Sequence, residues 1–247
     1  MDSSLHLFGI HALQEALENG QAIDKVWLLQ GERSTLFRQL ENKLRDKNIA
    51  VRYVPKEKFN AHREENHQGV MARMAPVTLY DFETLLESED THETPPLYLL
   101  LDHITDTHNL GAVMRSAAAT GVTAIVLPET GSAPLNATTI KTSAGAIFEL
   151  KIAKVRHLKD ALFLLQAHGI PTVGLSEKAE QNAYESNLEG PIGVVMGSED
   201  RGIHPNIVKL LDQLVRLPMV SKVASLNVSV ATGLILYEIV RQRSFKK

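Results

Sequence analysis

The 247-residue chain contains no cysteine. That removes disulfides, thiolate metal sites and a cysteine nucleophile. It has no apolar run of the roughly 18 residues needed to span a bilayer, and no basic segment leading into an apolar core at its start. Neither a membrane span nor a signal peptide is expected, and a cytoplasmic protein is the resulting reading. Aromatic residues make up only 5% of the chain, and tryptophan occurs once, as Trp27. None of the 15 glycines stands two positions from another. The GxG turn that brings backbone against a pyrophosphate in dinucleotide folds is therefore missing. GxxxxGK[ST] and GxSxG are missing too, which excludes an NTPase phosphate loop and a nucleophile elbow. The ten histidines form no HExxH pair, and His103 and His108 are five apart, a poor spacing for a shared metal on a helix. No metal is expected.

What is present fits an ordinary globular protein, with 44% hydrophobic and 22% charged residues. The net charge of −3 is unevenly spread. Residues 1–75 hold 11 basic and 10 acidic residues, 76–95 hold six acidic and no basic ones, and 96–247 hold 15 basic and 13 acidic. Within 33–63 there are nine basic residues against three acidic. Such a basic face is compatible with phosphate contacts. The composition shift over 76–95 marks a domain boundary. Residues 1–75 are read as one module, 76–95 as an acidic linker and 96–247 as a second domain.

Hydrophobic periodicity gives a coarse layout. Residues 11–20 read as a helix stopped by Gly20, 24–30 as a strand and 34–48 as an amphipathic helix with Leu36, Phe37, Leu40 and Leu44 on one face. Strands follow at 49–54 and 68–74, and a short acidic helix lies within 76–95. The second part reads as strands at 96–102, 122–128, 170–175, 191–197 and 213–219, interleaved with helices at 108–121, 135–146, 158–169, 205–212 and 225–244. Alternation of this kind predicts a parallel α/β sheet covered on both faces.

Three polar clusters fall at the carboxyl ends of expected strands, where such sheets place their sites. They are LDHITDTHNLGAVMRSA (101–117), VVMGSEDRGI (194–203) and LPMVSKVASLNVSVA (217–231). The third puts Ser225, Asn227 and Ser229 at the entrance of an apolar helix, more small polar residues than one cap requires. By residue type alone, Asn109 suits a helix N-cap, Glu199 a loop acid and Arg115 an exposed helix cation. Gly111, Gly197 and Gly202 suit turns.

Together the clusters resemble the SpoU family of RNA ribose 2'-O-methyltransferases. Asn109, Gly111 and Arg115 match in the first, Gly197, Glu199 and Gly202 in the second, and Pro218, Met219, Ser225, Leu226, Asn227 and Ser229 in the third. FGIHALQEAL near the start and NHQGVMAR before residue 74 are similar to the substrate-binding domain of members that act on guanosine in 23S rRNA. The resemblance implies a trefoil-knotted SPOUT-type parallel-sheet catalytic domain after a small α/β, L30e-like RNA-binding domain. It implies S-adenosylmethionine as methyl donor, bound by Met196, Gly197, Leu217, Met219, Ser225 and Leu226. It further implies a catalytic set of Asn109, Arg115, Glu199, Ser225 and Asn227, with Glu199 orienting Arg115 or Asn227. A homodimer through the final helix is implied, and the apolar stripe Val230, Leu234, Tyr237 and Ile239 suits either that or an internal core. Thr107 stands where the family pattern has proline, and the loss of a fixed φ is expected to loosen this loop. RNA phosphates fall to Arg33, Arg38, Lys43, Arg45, Arg52, Lys56 and Lys58, with Arg73 and His67–Gly69 nearer the target and Lys141 in support. Asp102 is a further supporting acid. A tRNA 2'-O-methyltransferase of the same family and a non-catalytic rRNA-binding factor are the alternative readings.

Overall fold

A computed structural model describes residues 6–18, 22–88, 94–220 and 225–245. The first part folds as β1 (His6–Phe8), α1 (Ile10–Glu18), β2 (Ile23–Leu29), α2 (Thr35–Asp46), β3 (Val51–Val54), a 3-10 segment (Lys56–His62) and β4 (Val70–Met74). The sheet order is β1-β4-β2-β3, with β2 parallel to β3 and β4 antiparallel to β1 and β2. Val26 and Leu28 alternate with Lys25 and Trp27 along β2, so the strand has an apolar face and a mixed one. Leu13 and Leu17 of α1 and Phe37, Leu40 and Leu44 of α2 cover the apolar face over Val26, Leu28, Val70 and Ala72. On the other face Phe59 packs against Val54 and Met71. The expected Gly20 stop lies outside the described residues. Leu36, expected inward, is exposed on α2.

The second sheet is built from β5 (Leu79–Tyr80), β6 (Leu97–Leu101), β7 (Ala124–Pro128), β8 (Ile152–Val155), β9 (Thr172–Leu175), β10 (Gln181–Asn182), β11 (Ile192–Met196) and β12 (Gln213–Arg216). Its order is β10-β12-β9-β11-β6-β7-β8-β5, and every pairing is parallel. Every residue of β6, β7 and β11 is buried. These strands therefore read as continuous apolar runs, as a sheet covered on both faces demands. One face carries α4 (Thr107–Ala119) and α8 (Val228–Ser244), which bury Val113, Met114, Ile235, Leu236 and Ile239. The opposite face carries α3 (Phe82–Ser88) and α6 (Leu158–Ala167). Two short helices, α5 (Ala137–Thr142) and α7 (Pro205–Val208), complete the layers. Among the described residues no helix is long and apolar enough to cross a membrane.

The reading of 76–95 as an acidic linker needs correction. β5 pairs with β8, and α3 buries Phe82, Leu85 and Leu86 in the core of the second sheet, with the Phe82 ring edge-on to Tyr98 at 5.7 Å. Glu83 and Glu87 are exposed on the same helix. The charge run is thus the solvated face of an amphipathic helix, and structure belonging to the second sheet begins by Leu79. Residues 89–93 of this stretch lie outside the described residues. The stripe Val230, Leu234, Tyr237 and Ile239 also divides: the first three are exposed, while Ile239 is buried in the core.

Near the end of α8 the buried Glu238 accepts from Arg241 Nε and Nη2 at 2.8 and 2.7 Å, and from Gln242 Nε2 at 2.8 Å. The Arg241 hydrogen bonds hold its carboxyl below the usual carboxylate range, against the opposing effect of burial. A depressed folded value contributes stability above the unfolded carboxylate value, and this is lost as pH falls through the folded one. The stability gap between wild type and Glu238→Gln should therefore close as thermal unfolding is followed from about pH 7 to below about pH 4.

Candidate active site

Asp102, at the end of β6, is buried. Its Oδ2 accepts the His204 backbone N–H at 2.7 Å and its Oδ1 lies 2.6 Å from His103 Nδ1. The carboxylate thus ties the β6 loop to the chain that follows β11. Asp106 then caps α4, its Oδ1 accepting the Asn109 N–H at 2.7 Å. The cap that residue type alone would give Asn109 belongs to Asp106, and the Asn109 amide is free for other work. Thr107 occupies the first turn of α4, directly after the cap. Proline is favoured at that position, where the N–H has no partner inside the helix. The preceding Asp106 already has the extended backbone, φ −88 and ψ 128, that a following proline imposes. The cap ties this loop to α4 at the position where the family pattern has proline. Thr107→Pro should stabilise by about 0.4–1 kcal/mol, read as a modest rise in Tm.

Three distant side chains meet in front of this loop. Asn109 Nδ2 donates to Glu199 Oε2 at 3.2 Å, and Asn109 Oδ1 accepts from Asn227 Nδ2 at 3.0 Å. Asn227 Nδ2 also lies 3.3 Å from Glu199 Oε2. Asn227 is the N-cap of α8. Its Oδ1 accepts from Ser229 N at 2.9 Å and from Ser229 Oγ at 2.6 Å. Committing that oxygen to the helix start turns the amide nitrogen toward Asn109 and Glu199. One Asn thus does two jobs, capping α8 and closing the polar triangle.

Arg115 stands apart. It is exposed on α4, and no hydrogen bond or ion pair engages it among the described residues. Of the two partners expected for Glu199, Arg115 or Asn227, the carboxylate meets Asn227, together with Asn109, and not Arg115. Arg115 lies six residues after Asn109, roughly 9 Å along the axis. Helical side chains lean toward the N-terminus, which is the Asn109 end.

Beside the triangle opens a cavity of about 280 Å³. Met196, Gly197, Leu217, Met219, Ser225 and Leu226 all line it, together with Glu199. Sequence reasoning missed Leu175, Ser176, Glu177 and Lys178 on the β9 side, and Arg201. For Leu175–Lys178 the one available signal was position, at the carboxyl end of a strand neighbouring β11, whereas Arg201 lies within the 194–203 cluster. Residues 221–224 of the third cluster lie outside the described residues.

The glycines also need correction. A Cβ at Gly197 would lie 2.0 Å from Gly202 C and 2.1 Å from Ile203 N. Ser198 and Gly202 exchange backbone hydrogen bonds of 3.1 and 2.9 Å, folding this turn onto Gly197. The missing side chain makes room for the protein's own backbone. Gly202, at φ +68, is a true turn glycine. Gly111 is buried within α4, where a Cβ would lie 2.6 Å from Thr142 Cβ and 2.8 Å from Thr139 O. It lets α4 and α5 approach.

The basic residues assigned to RNA are all exposed. Lys43 pairs with Glu18 at 2.8 Å, Arg73 with Asp24, and Lys141 with Glu15 at 3.0 Å, the last joining the two parts of the chain. Val230, Leu234 and Tyr237 border a shallow groove with Ala112 and Ser116 of α4. Among the described residues no group of three or more His, Asp or Glu side chains is placed to hold a metal.

Geometry by itself defines a class: an α/β protein whose ligand cavity is closed by loops after several parallel strands, with no glycine-rich nucleotide turn. Comparison with known proteins gives the class its name. Residues 96–237 match the model of the SpoU rRNA methylase family, and residues 6–80 match the RNA 2'-O ribose methyltransferase substrate-binding domain. The chain is 37% identical over 242 residues to the 23S rRNA (guanosine-2'-O-)-methyltransferase RlmB of Pseudomonas putida, covering 98% of each. It is 38% identical to the RlmB of Yersinia pestis, over 97% of this chain and 98% of that one. The SpoU methyltransferase AviRb of Streptomyces viridochromogenes, crystallised with the cofactor AdoMet, has the same fold, with a TM-score of 0.71 at 23% identity over 98% of this chain and 91% of that one. The chain belongs to the SpoU rRNA methylase family.

Proposed function

We propose that the protein transfers a methyl group from S-adenosylmethionine to the ribose 2'-hydroxyl of a guanosine in 23S rRNA. The observation that carries this reading is the meeting of Asn109, Glu199 and Asn227 at the edge of the cavity. Near full-length similarity to relatives named for that reaction supports it. The cavity suits the donor. Met196, Leu217 and Val228 are apolar lining residues, Glu177, Glu199 and Asp200 are acidic ones that would suit the donor's positive charges, and Lys178 and Arg201 are basic ones that would suit its carboxylate. S-adenosylmethionine would supply a methyl carbon carried on a positively charged sulfur; a bond from the ribose oxygen to that carbon balances the breaking carbon–sulfur bond, and the donor leaves as the neutral thioether.

In this reading Asn109 and Asn227 fix the Glu199 carboxylate, and Ser225 lines the donor pocket beside them. Arg115 binds the phosphate next to the target ribose, or the oxygen as it gains negative charge. A guanidinium stays protonated, so it does not serve as the base. The hydroxyl proton leaves to phosphate or water. Much of the acceleration then comes from holding oxygen and methyl in line.

The remaining parts of the proposal are a 23S rRNA-binding module ahead of the catalytic domain, a trefoil knot in the chain between β11 and α8, a cytoplasmic location and a homodimer through α8. The exposed Val230, Leu234 and Tyr237 support the dimer, since such apolar side chains normally find cover. Tyr237→Glu should convert the dimer to a monomer in light scattering at micromolar concentration. A persisting dimer would point to another interface.

A tRNA substrate is the second reading. The A. aeolicus TrmH/SpoU tRNA-modifying enzyme, 30% identical with a TM-score of 0.56, covers 65% of this chain. The near full-length relatives named for 23S rRNA favour rRNA. Calorimetry with S-adenosylmethionine, followed by tritiated methyl transfer to transcribed 23S rRNA fragments and to tRNA, tests the proposal. Transfer to rRNA is expected. Transfer to tRNA alone would establish the rival, and binding without transfer to either would mark a non-catalytic factor.

A further inference from the structure

Among the described residues, one face of the first sheet carries no α-helix. His6 and Phe8 of β1, Met71 and Arg73 of β4, Lys25 and Trp27 of β2 and Arg52 of β3 share it, because side chains alternate along each strand and the registers align them. Arg73 stands opposite both His6 and Lys25, and Trp27 stands opposite both Met71 and Arg52. The 3-10 segment Lys56–His62 covers only part of this face: Phe59 closes over Val54 and Met71, and His62 ends it against the Phe8 ring at 4.9 Å. At the edge of that cover Phe8 and Trp27 pack against this cluster, and the rings form an array. His6 lies 6.2 Å from Trp27 and 6.2 Å from His62, with interplanar angles of 30° and 28°.

Two of the chain's few aromatic residues, Phe8 and the single Trp27, thus share this sheet face with the His6 ring, and His62 of the 3-10 segment joins them. Trp27 is only partly buried there. Three cations border it. Arg52 is exposed, Lys25 Nζ sits 5.9 Å from the Trp27 ring centre, and Arg73 is exposed with its charge shared with Asp24. Among the described residues the catalytic domain does not cover this face. It approaches through Leu7 and Met74, which point to the other side of the sheet, and through Glu15 of α1.

We propose that this face is a stacking platform for unpaired nucleobases of the RNA substrate, with Trp27 as its central ring and Lys25, Arg52 and Arg73 on the flanking phosphates. Flat rings take bases of any sequence by their π-faces, and neighbouring cations neutralise the backbone. A base stacked in a duplex has no free face for Trp27, so the platform selects single-stranded segments. The proposal rests on the RNA-methylation reading. It adds a place and a physical form to substrate capture, and moves the contact from the basic helix α2 to the open sheet.

The single tryptophan makes the test direct. Titrating the full-length protein with a single-stranded RNA oligonucleotide should quench Trp27 emission in step with binding followed by the anisotropy of labelled RNA. A duplex of the same sequence should bind more weakly and leave the emission unchanged. Trp27→Leu should raise the KM for rRNA about tenfold, the loss of one stacked base, with S-adenosylmethionine affinity measured without RNA unaltered. Trp27→Tyr should restore most of the loss. RNA binding without a change in Trp27 emission, or quenching only by an acidic peptide, would overturn the platform and leave the methylation reading standing. No binding of any RNA would overturn both.

Discussion

Gly197→Ala is expected to abolish S-adenosylmethionine binding and to lower Tm. The new Cβ would meet backbone atoms, Gly202 C at 2.0 Å and Ile203 N at 2.1 Å, and no side chain there can rotate away. The 198–202 turn must therefore move as a unit. That turn carries Glu199, whose carboxylate joins Asn109 and Asn227, and it leads into Ile203, buried in the core below. Just beyond, the His204 N–H is held by buried Asp102. Forcing a methyl group into packed surroundings costs about 1–3 kcal/mol, and displacement of the cavity wall adds to the effect on binding. Calorimetry should give an affinity loss of at least about 100-fold, or about 2.7 kcal/mol. Gly190→Ala is the control. No atom lies within 4 Å of its Cβ position, and both measurements should stay at wild-type values.

Arg115→Ala is expected to do the opposite: leave binding and folding alone while stopping transfer. The side chain is exposed, makes no hydrogen bond among the described residues and interrupts no packing on α4. A guanidinium acting on the phosphate or on the oxygen as it gains charge contributes mainly in the transition state. Removing one such group costs about 100- to 1,000-fold in rate. Single-turnover transfer from bound S-adenosylmethionine should fall by that factor, with the donor's affinity within about twofold of wild type. Arg115→Lys should recover only part, because an ammonium cannot form the two-pronged contact with an anion that a guanidinium makes.

The sequence announced those features whose physics is local. LYLLL, AIVLP and IGVVM read as strands because burial on both faces makes them continuously apolar. The three clusters at strand ends were legible because their residue types and order were specific. Features set by approach through space were not legible. Gly197 looks like a turn glycine until the backbone five residues on is seen folded against it, and Gly111 until α5 is placed beside α4. β1, β5, β8 and β10 are two to four residues long, too short to show a period, and their pairing partners define them. The acidic character of 76–95 concealed three buried side chains on α3, since charge reports one face of a helix and packing the other. The Leu175–Lys178 wall of the cavity has no motif, only a place beside β11.

The central claim is that Arg115, the Asn109–Glu199–Asn227 triangle and the adjoining cavity methylate a guanosine ribose in 23S rRNA. Mass-spectrometric mapping of 2'-O-methyl groups in RNA from a deletion strain, complemented with wild type or with Arg115→Ala, tests it most directly. A 2'-O-methylguanosine should disappear from 23S rRNA on deletion, return with the wild type and stay absent with the variant. A complete set of 23S rRNA methylations in the deletion strain, or restoration by Arg115→Ala, would contradict it.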